Sequence, residues 1–236
     1  NYPNVWFVGA DLTNFTNPST GQPEKNVLSI AIDLRYGAYE AGVLAAFLTK
    51  TGIIGYQAGY SYPQEVEIGY AFLAGAHLVN NSIKLVYDFP GTWADVEKGY
   101  IGAKSLIAAG ADVILFRGDG QTLGGEQACA SAGVYAIGDM MDQSPLNPNY
   151  IVASNTFNDT LVLQDILLRY MNNSLSQWAD QNVDLGPSVN TLVLGPAAYK
   201  LLTPQQLNYL QEIIKGVDNG TISVPLVDQL PPSGSA

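Results

Sequence analysis

Three aspartates fall where a ligand can meet them. Asp119 follows the apolar run Val113 to Phe116, and Asp139 and Asp142 follow the run Val134 to Ile137. Runs this short and unbroken predict strands buried on both faces. The acids therefore mark the carboxyl ends of two neighbouring strands, the place where open α/β sheets bind ligands. Between the runs, Gly118-Asp-Gly-Gln-Thr-Leu-Gly-Gly125 is expected to turn the chain and then lead into a short helix from Glu126 to Ala132, stopped by Gly133. Gly120 and Gln121 in that turn join Asp139 and Asp142 as candidate ligand-binding residues. Carboxylates there would accept hydrogen bonds from ligand hydroxyls or amines. Acids also cap turns and helix starts, and the pattern leaves that use open. Tyr60, Tyr62, Phe89, Trp93 and Phe157 also follow strands. Rings so placed can sandwich a planar ligand, or can simply fill gaps. Tyr60, Trp93 and Phe157 complete the candidate set.

Other chemistries find little support. His77 is the one histidine, near the end of an alanine-rich helix, where a capping or solvent-facing role is the ordinary one. A Ser-His-Asp or Cys-His nucleophilic system would rest on it alone. There is no G-x-S-x-G elbow and no P-loop lysine, and the glycine-rich turn lacks a dinucleotide fingerprint. The acids lack the spacing and the histidine partner of a metal set. The sequence thus predicts no catalytic residues, no metal and no cofactor. Cys129, the one cysteine, sits among alanines and reads as a small buried side chain. Ten basic against 21 acidic residues give a net charge of −11, with no basic cluster, which speaks against nucleic acid as a partner.

These residues need elements to position them. The 236 residues are 47% hydrophobic, enough for a substantial core. Helices are expected over Tyr39–Lys50, Pro63–Val79, Asp95–Ala109, Asp159–Asn172 and from Thr203-Pro204 to Lys215. Strands are expected at Val5–Val8, Val27–Ile32, Ile53–Tyr56, Lys84–Tyr87, Tyr150–Ser154, Thr191–Leu194 and Ile222–Val224. From residue 39 to 143 strand and helix alternate as in a doubly wound α/β lobe. Leu161, Ile166, Leu167 and Tyr170 are the expected core contacts of their amphipathic helix. Arg35 falls near an expected hinge, and Pro231–Ala236 reads as a flexible end. The first two strands have no crossover helix between them, so the chain opens like the middle of a fold. No apolar run approaches the ~20 residues that span a bilayer. Sequons at Asn14, Asn80, Asn158, Asn172 and Asn219, with only 13% charged residues, lean toward an exported, glycosylated protein.

Several stretches resemble the basic membrane protein (BMP) family of substrate-binding proteins, which includes the purine-nucleoside receptors of ABC transporters. They are Tyr2-Pro-Asn-Val-Trp-Phe-Val-Gly-Ala-Asp11, Tyr39-Glu-Ala-Gly-Val-Leu-Ala-Ala-Phe-Leu-Thr-Lys-Thr-Gly52, Gly110-Ala-Asp-Val-Ile114, Gly133-Val-Tyr-Ala-Ile-Gly138 with Asp142-Gln143, and Gly220-Thr-Ile-Ser-Val-Pro225. The resemblance implies an α/β type I periplasmic-binding fold of two doubly wound lobes with ligand in the cleft between them. It implies that 1–35 end lobe one, 36–150 form lobe two, and 151–236 return to lobe one with the C-terminal crossover and tail. Members carry further residues before the Tyr2-Pro3 position. Lobe one is therefore expected to be incomplete here, completed by a missing N-terminal segment or a second chain. The implied function is an extracellular solute-binding receptor, membrane-anchored through a segment outside this chain, passing a nucleoside-like small molecule to an ABC permease. The pocket departs from the family. The ribose-binding aspartate expected two positions after Ile137-Gly138 is replaced by Met140, with Asp139 one residue away, and an expected lysine is Phe157. A cell-surface assembly protein reusing this fold is the rival expectation.

Overall fold

The alternating pattern folds into two units. In the computed structural model, which describes residues 2–10, 16–17, 19–179 and 181–235, one unit comprises Asn1–Asp33 with Phe157–Val189. The other comprises Leu34–Thr156 with Asn190–Ala236. In chain order the elements are β1 (Phe7–Ala10), β2 (Val27–Ile30), α1 (Arg35–Leu48), β3 (Ile53–Ala58), α2 (Pro63–Val79), β4 (Lys84–Asp88), α3 (Val96–Ala108) and β5 (Val113–Arg117). There follow α4 (Gly120–Ala132), β6 (Tyr135–Met140), β7 (Ile151–Phe157), α5 (Asp159–Met171), β8 (Asn182–Val183), β9 (Asn190–Leu194), α6 (Pro196–Leu201) and α7 (Pro204–Asp218).

The larger unit is built on a six-stranded sheet of order β4-β3-β5-β6-β7-β9. β3 pairs in parallel with β4 on one side and β5 on the other, and β5–β6 and β6–β7 are parallel too. After β3 the chain steps outward to β4, then returns across β3 to lay down β5. The order thus reverses between β3 and β5. The apolar runs sit where burial on both faces demands them: Ile54, Tyr56, Val113, Ile114, Leu115, Phe116, Ala136 and Ile137 are all buried. Helix pairs α1–α2 and α3–α4 pack closely because small residues meet backbone. A Cβ on Gly42 would strike the Phe72 carbonyl oxygen, and one on Gly124 the Val96 carbonyl oxygen. Pro204 in the first turn and a Thr203–Gln206 capping box start α7, as the Thr203-Pro204 pair predicts.

The smaller unit holds a parallel three-stranded sheet, β1-β2-β8, and α5. The expected core face of α5 is not covered. Leu161, Leu167 and Tyr170 are exposed and Ile166 is half-buried, while Val162 is the buried residue of the helix.

Elsewhere the structure differs from the sequence reading in four ways. α4 starts at Gly120, so the expected turn residues Gly120, Gln121 and Thr122 form its first turn. Ile222–Val224 is not a strand, and its Val224 is buried as irregular chain. The tail is tied down, with the Gly234 N–H donating to the Leu85 carbonyl of edge strand β4 at 2.7 Å. The two units also divide differently from the reading at 36 and 150. Residues from Asn190 onward join the larger unit, where β9 extends the sheet and Glu40 of α1 accepts the Leu192 N–H at 2.8 Å.

Candidate functional site

The reversal between β3 and β5 is a topological switch point, and open α/β sheets bind ligands at the carboxyl ends of strands at such a point; side chains from several segments converge there. Arg117 ends β5. Its Nη1 donates to Asp139 Oδ2 on β6 at 3.1 Å, and its Nε lies 3.4 Å from Glu65 Oε2 on α2, an ion pair without a directed hydrogen bond. The Gly118 N–H donates to the same Asp139 oxygen at 3.0 Å. Burial works against charge on Arg117, but Asp139 and then Glu65 outweigh it and hold the guanidinium above its ordinary pKa. Burial pushes Asp139 up, and Arg117 and the Gly118 N–H pull it only part of the way back. The Tyr56 hydroxyl, buried in β3, donates to Glu65 Oε2 at 3.4 Å, and burial followed by Glu65 raises its pKa well above the usual value.

Above Arg117 lies an aromatic platform. Tyr60 and Tyr62 stack at 5.3 Å between centroids, and Trp93 leans on both at 5.5 and 6.5 Å. The guanidinium sits 5.8 Å from the Trp93 ring centroid, in cation–π range. Trp93 is fixed by its own carbonyl, which accepts the Asp119 N–H at 3.0 Å and the Gln121 N–H at 3.2 Å. Gly59 leaves room for its ring, since a Cβ there would enter the indole. The rings therefore form a surface on which a planar ligand can stack. No further ring fits between Tyr60 and Tyr62.

The sequence candidates fare unequally. Tyr60, Trp93, Asp139 and Gln121 come together around Arg117. Gln121 is buried, donates from Nε2 to the Arg117 carbonyl at 2.7 Å, and has no partner for Oε1. Asp139 Oδ1 and the Oε1 of buried Gln57 on β3 are also without partners. Gly120 packs against the Ala94 carbonyl, so it brings α4 close to the segment before α3. Asp142 is exposed and caps the short 3-10 helix Ser144–Leu146 by accepting the Ser144 N–H at 2.9 Å. Phe157 is buried at the end of β7. Met140, at the family's aspartate position, adopts the left-handed region with φ 63°, rare for a side chain of this kind. Arg117 and Glu65 carry much of the site, yet nothing in the spacing of these lone polar residues singles them out. Arg35 donates to the Tyr36 hydroxyl at 2.7 Å. His77 Nε2 meets the Ile83 carbonyl at 2.8 Å past the end of α2, and Cys129 is buried. Among the sequons, Asn80, Asn158, Asn172 and Asn219 are exposed at helix ends, and Asn14 lies outside the described residues.

A family model described as ABC transporter substrate-binding protein, PnrA-like, matches residues 1–225. The chain belongs to the Bmp family. Basic membrane protein B of Borrelia garinii subsp. bavariensis is 26% identical over 241 residues, covering 94% of this chain and 69% of its own length. Other relatives match over as little as 40% of theirs. A solute-binding protein of an ABC transporter system from Aeropyrum pernix K1 superposes with a TM-score of 0.75 at 17% identity, over 96% of this chain and 72% of that one. A transcriptional activator of the comK gene from Bacillus halodurans gives 0.75 at 20% identity, over 94% and 72%. Those likenesses show the α/β fold of the solute-binding proteins. The Bmp family is a class of binding proteins, not of enzymes.

Proposed function

We propose that this chain is the ligand-binding part of a receptor for an ABC importer, taking a small polar, ring-containing, nucleoside-like ligand at the switch point between β3 and β5. The observation that carries the reading is the occurrence, at a topological switch point, of the Tyr60–Tyr62–Trp93 platform beside Arg117 together with buried acceptors on β3, α4 and β6. Gln57 Oε1, Gln121 Oε1 and Asp139 Oδ1 lack partners, and buried polar atoms in native proteins are paired in the great majority. Ligand hydroxyls or amines, directly or through water, would satisfy them while the base stacks above. Receptors of this kind work outside the cytoplasm. A position at the cell surface, anchoring through a segment beyond this chain and glycans on the exposed sequons are further parts of the proposal. Among the described residues no helix is long and apolar enough to cross a membrane.

Isothermal titration with adenosine, guanosine, free bases and ribose tests this reading. Stacking on one aromatic contributes about 1–3 kcal/mol per base. A nucleoside should bind saturably and Trp93→Ala should weaken it by roughly 5- to 150-fold. Absence of saturable heat, or an unchanged affinity in Trp93→Ala, would sink it.

A second reading, a surface assembly protein, draws on the uncovered face of the smaller unit, where Leu163, Leu167, Leu168, Tyr170 and Met171 are all exposed. It predicts ordered oligomers in sedimentation velocity that Leu167→Lys dissociates. A concentration-independent monomer would remove it.

A further inference from the structure

The larger unit carries another concavity, and a buried acid forms part of its wall. It has a volume of about 280 Å³ and is lined by Leu123, Glu126 and Gln127 of α4, Leu146 and Asn147 of the following loop, and Ile151 of β7. Leu123 and Leu146 are exposed, so the space opens to solvent. Glu126 is 5% exposed and its Oε1 has no hydrogen-bond partner. An unsatisfied buried polar atom is costly, more so when charged. Such an atom is unusual unless something meets it, and Glu126 also lines the open cavity.

The surroundings say what would meet it. The titratable and charged groups facing Glu126 are Asp139 on β6 and Cys129 on its own helix. Arg117 is committed to Asp139 and Glu65, and no lysine, arginine or histidine among the described residues pairs with Glu126. The complement of a buried carboxyl among aliphatic side chains is a cation with an aliphatic body. The volume lies just below the ~300–1,000 Å³ typical of small-molecule sites, which favours a small occupant.

We propose that this cavity is a second ligand site for a small primary ammonium, its charged head on the Glu126 carboxylate and its alkyl chain against Leu123, Leu146 and Ile151. Burial, and then the Asp139 charge, push the Glu126 pKa up to about 8. Below that pH the carboxyl is mostly protonated, and binding an ammonium sends its proton to the buffer. Only the ionised fraction is competent, so affinity rises with pH, by roughly 20-fold from pH 6.5 to 8.5 for a pKa near 8.

The test uses the full chain with carbon-13-labelled Leu and Ile methyl groups, titrated with isobutylammonium and with neutral isobutyramide. The proposal expects saturable shifts of the Leu123, Leu146 and Ile151 methyls with the ammonium, weaker by roughly 20-fold at pH 6.5, and lost in Glu126→Gln. Leu146→Trp, which fills the space from an exposed position, should block the same shifts and leave Glu126 intact. That variant keeps the proposal testable if Glu126→Gln fails to fold. No saturable shift, equal binding of isobutyramide, or binding that survives Leu146→Trp would overturn it.

Discussion

Asn190 is a residue whose loss the larger unit should tolerate poorly. It is 1% exposed and makes three hydrogen bonds. Its Oδ1 accepts the Gly37 N–H in the first turn of α1 at 2.7 Å, and its Nδ2 donates to Asn155 Oδ1 at 2.7 Å and to the Thr156 carbonyl at 2.8 Å. Asn155, equally buried, in turn donates to the Leu34 carbonyl at 2.9 Å. The chain passes between its two units next to Leu34, Thr156 and Asn190, so this clamp lies at all three passages on the larger unit's side. Asn190→Ala strands the buried Gly37 N–H, the buried Asn155 Oδ1 and the half-buried Thr156 carbonyl. At about 1–3 kcal/mol each, less where water enters the vacated space, the loss should be about 3–5 kcal/mol. For a chain of this size that lowers Tm by roughly 6–20 °C. Asn208→Ala, which removes only the exposed 3.0 Å bond to Glu212, should cost less than about 0.5 kcal/mol. Of the three tryptophans, Trp6 and Trp178 belong to the smaller unit. Urea unfolding followed by fluorescence in a Trp6→Phe/Trp178→Phe background therefore reports the larger unit through Trp93. A loss for Asn190→Ala below about 1 kcal/mol, or equal to that of Asn208→Ala, would refute the reasoning.

Three further outcomes follow from buried charge and strained backbone. Glu40 is fully buried and burial pushes its pKa up to about 8. The folded state therefore holds a proton that the unfolded state releases near pH 4.5, and stability should fall as pH rises from about 4.5 to about 8, by about 1.4 kcal/mol per unit at most from this group. Glu40→Gln, which can still accept the Leu192 N–H, should flatten that slope in urea melts, and an unchanged slope would count against it. Arg117→Met leaves Asp139 buried without its cation and should cost about 3–5 kcal/mol, whereas Arg117→Met with Asp139→Leu should recover much of it. Equal losses in single and double variants would contradict the pairing. Met140→Gly relieves a left-handed backbone and should raise stability, since that region costs a non-glycine residue roughly 1 kcal/mol or more. A lower Tm would show that the Met140 side chain contributes more than its backbone costs.

The strands of the larger sheet were legible because burial on both faces leaves a plain mark, as Val113 to Phe116 shows. The position of Asp139 at a strand end was legible for the same reason. Its partner was not, because the ion pair joins Arg117 to a residue 22 positions later and to Glu65 on another helix. α4 was misread at its start because Gly120 and Gly124 have poor helix propensity. Their packing against the Ala94 and Val96 carbonyls overrides it, since only glycine fits there. Asp142 kept the ordinary use of an acid in a turn. The leucines of α5 follow a helical period, but the period tells which residues share a face and not whether anything covers it. The two-residue β8 is too short to leave any pattern.

The central claim is that a nucleoside-like ligand binds at the switch point between β3 and β5. Native mass spectrometry of the protein from its own source, with no ligand added, tests it most directly by weighing chain, glycans, copy number and retained small molecules together. A monomer carrying one nucleoside-sized adduct, released on denaturation and absent from Trp93→Ala, is expected. Large assemblies of the chain without an adduct would contradict it.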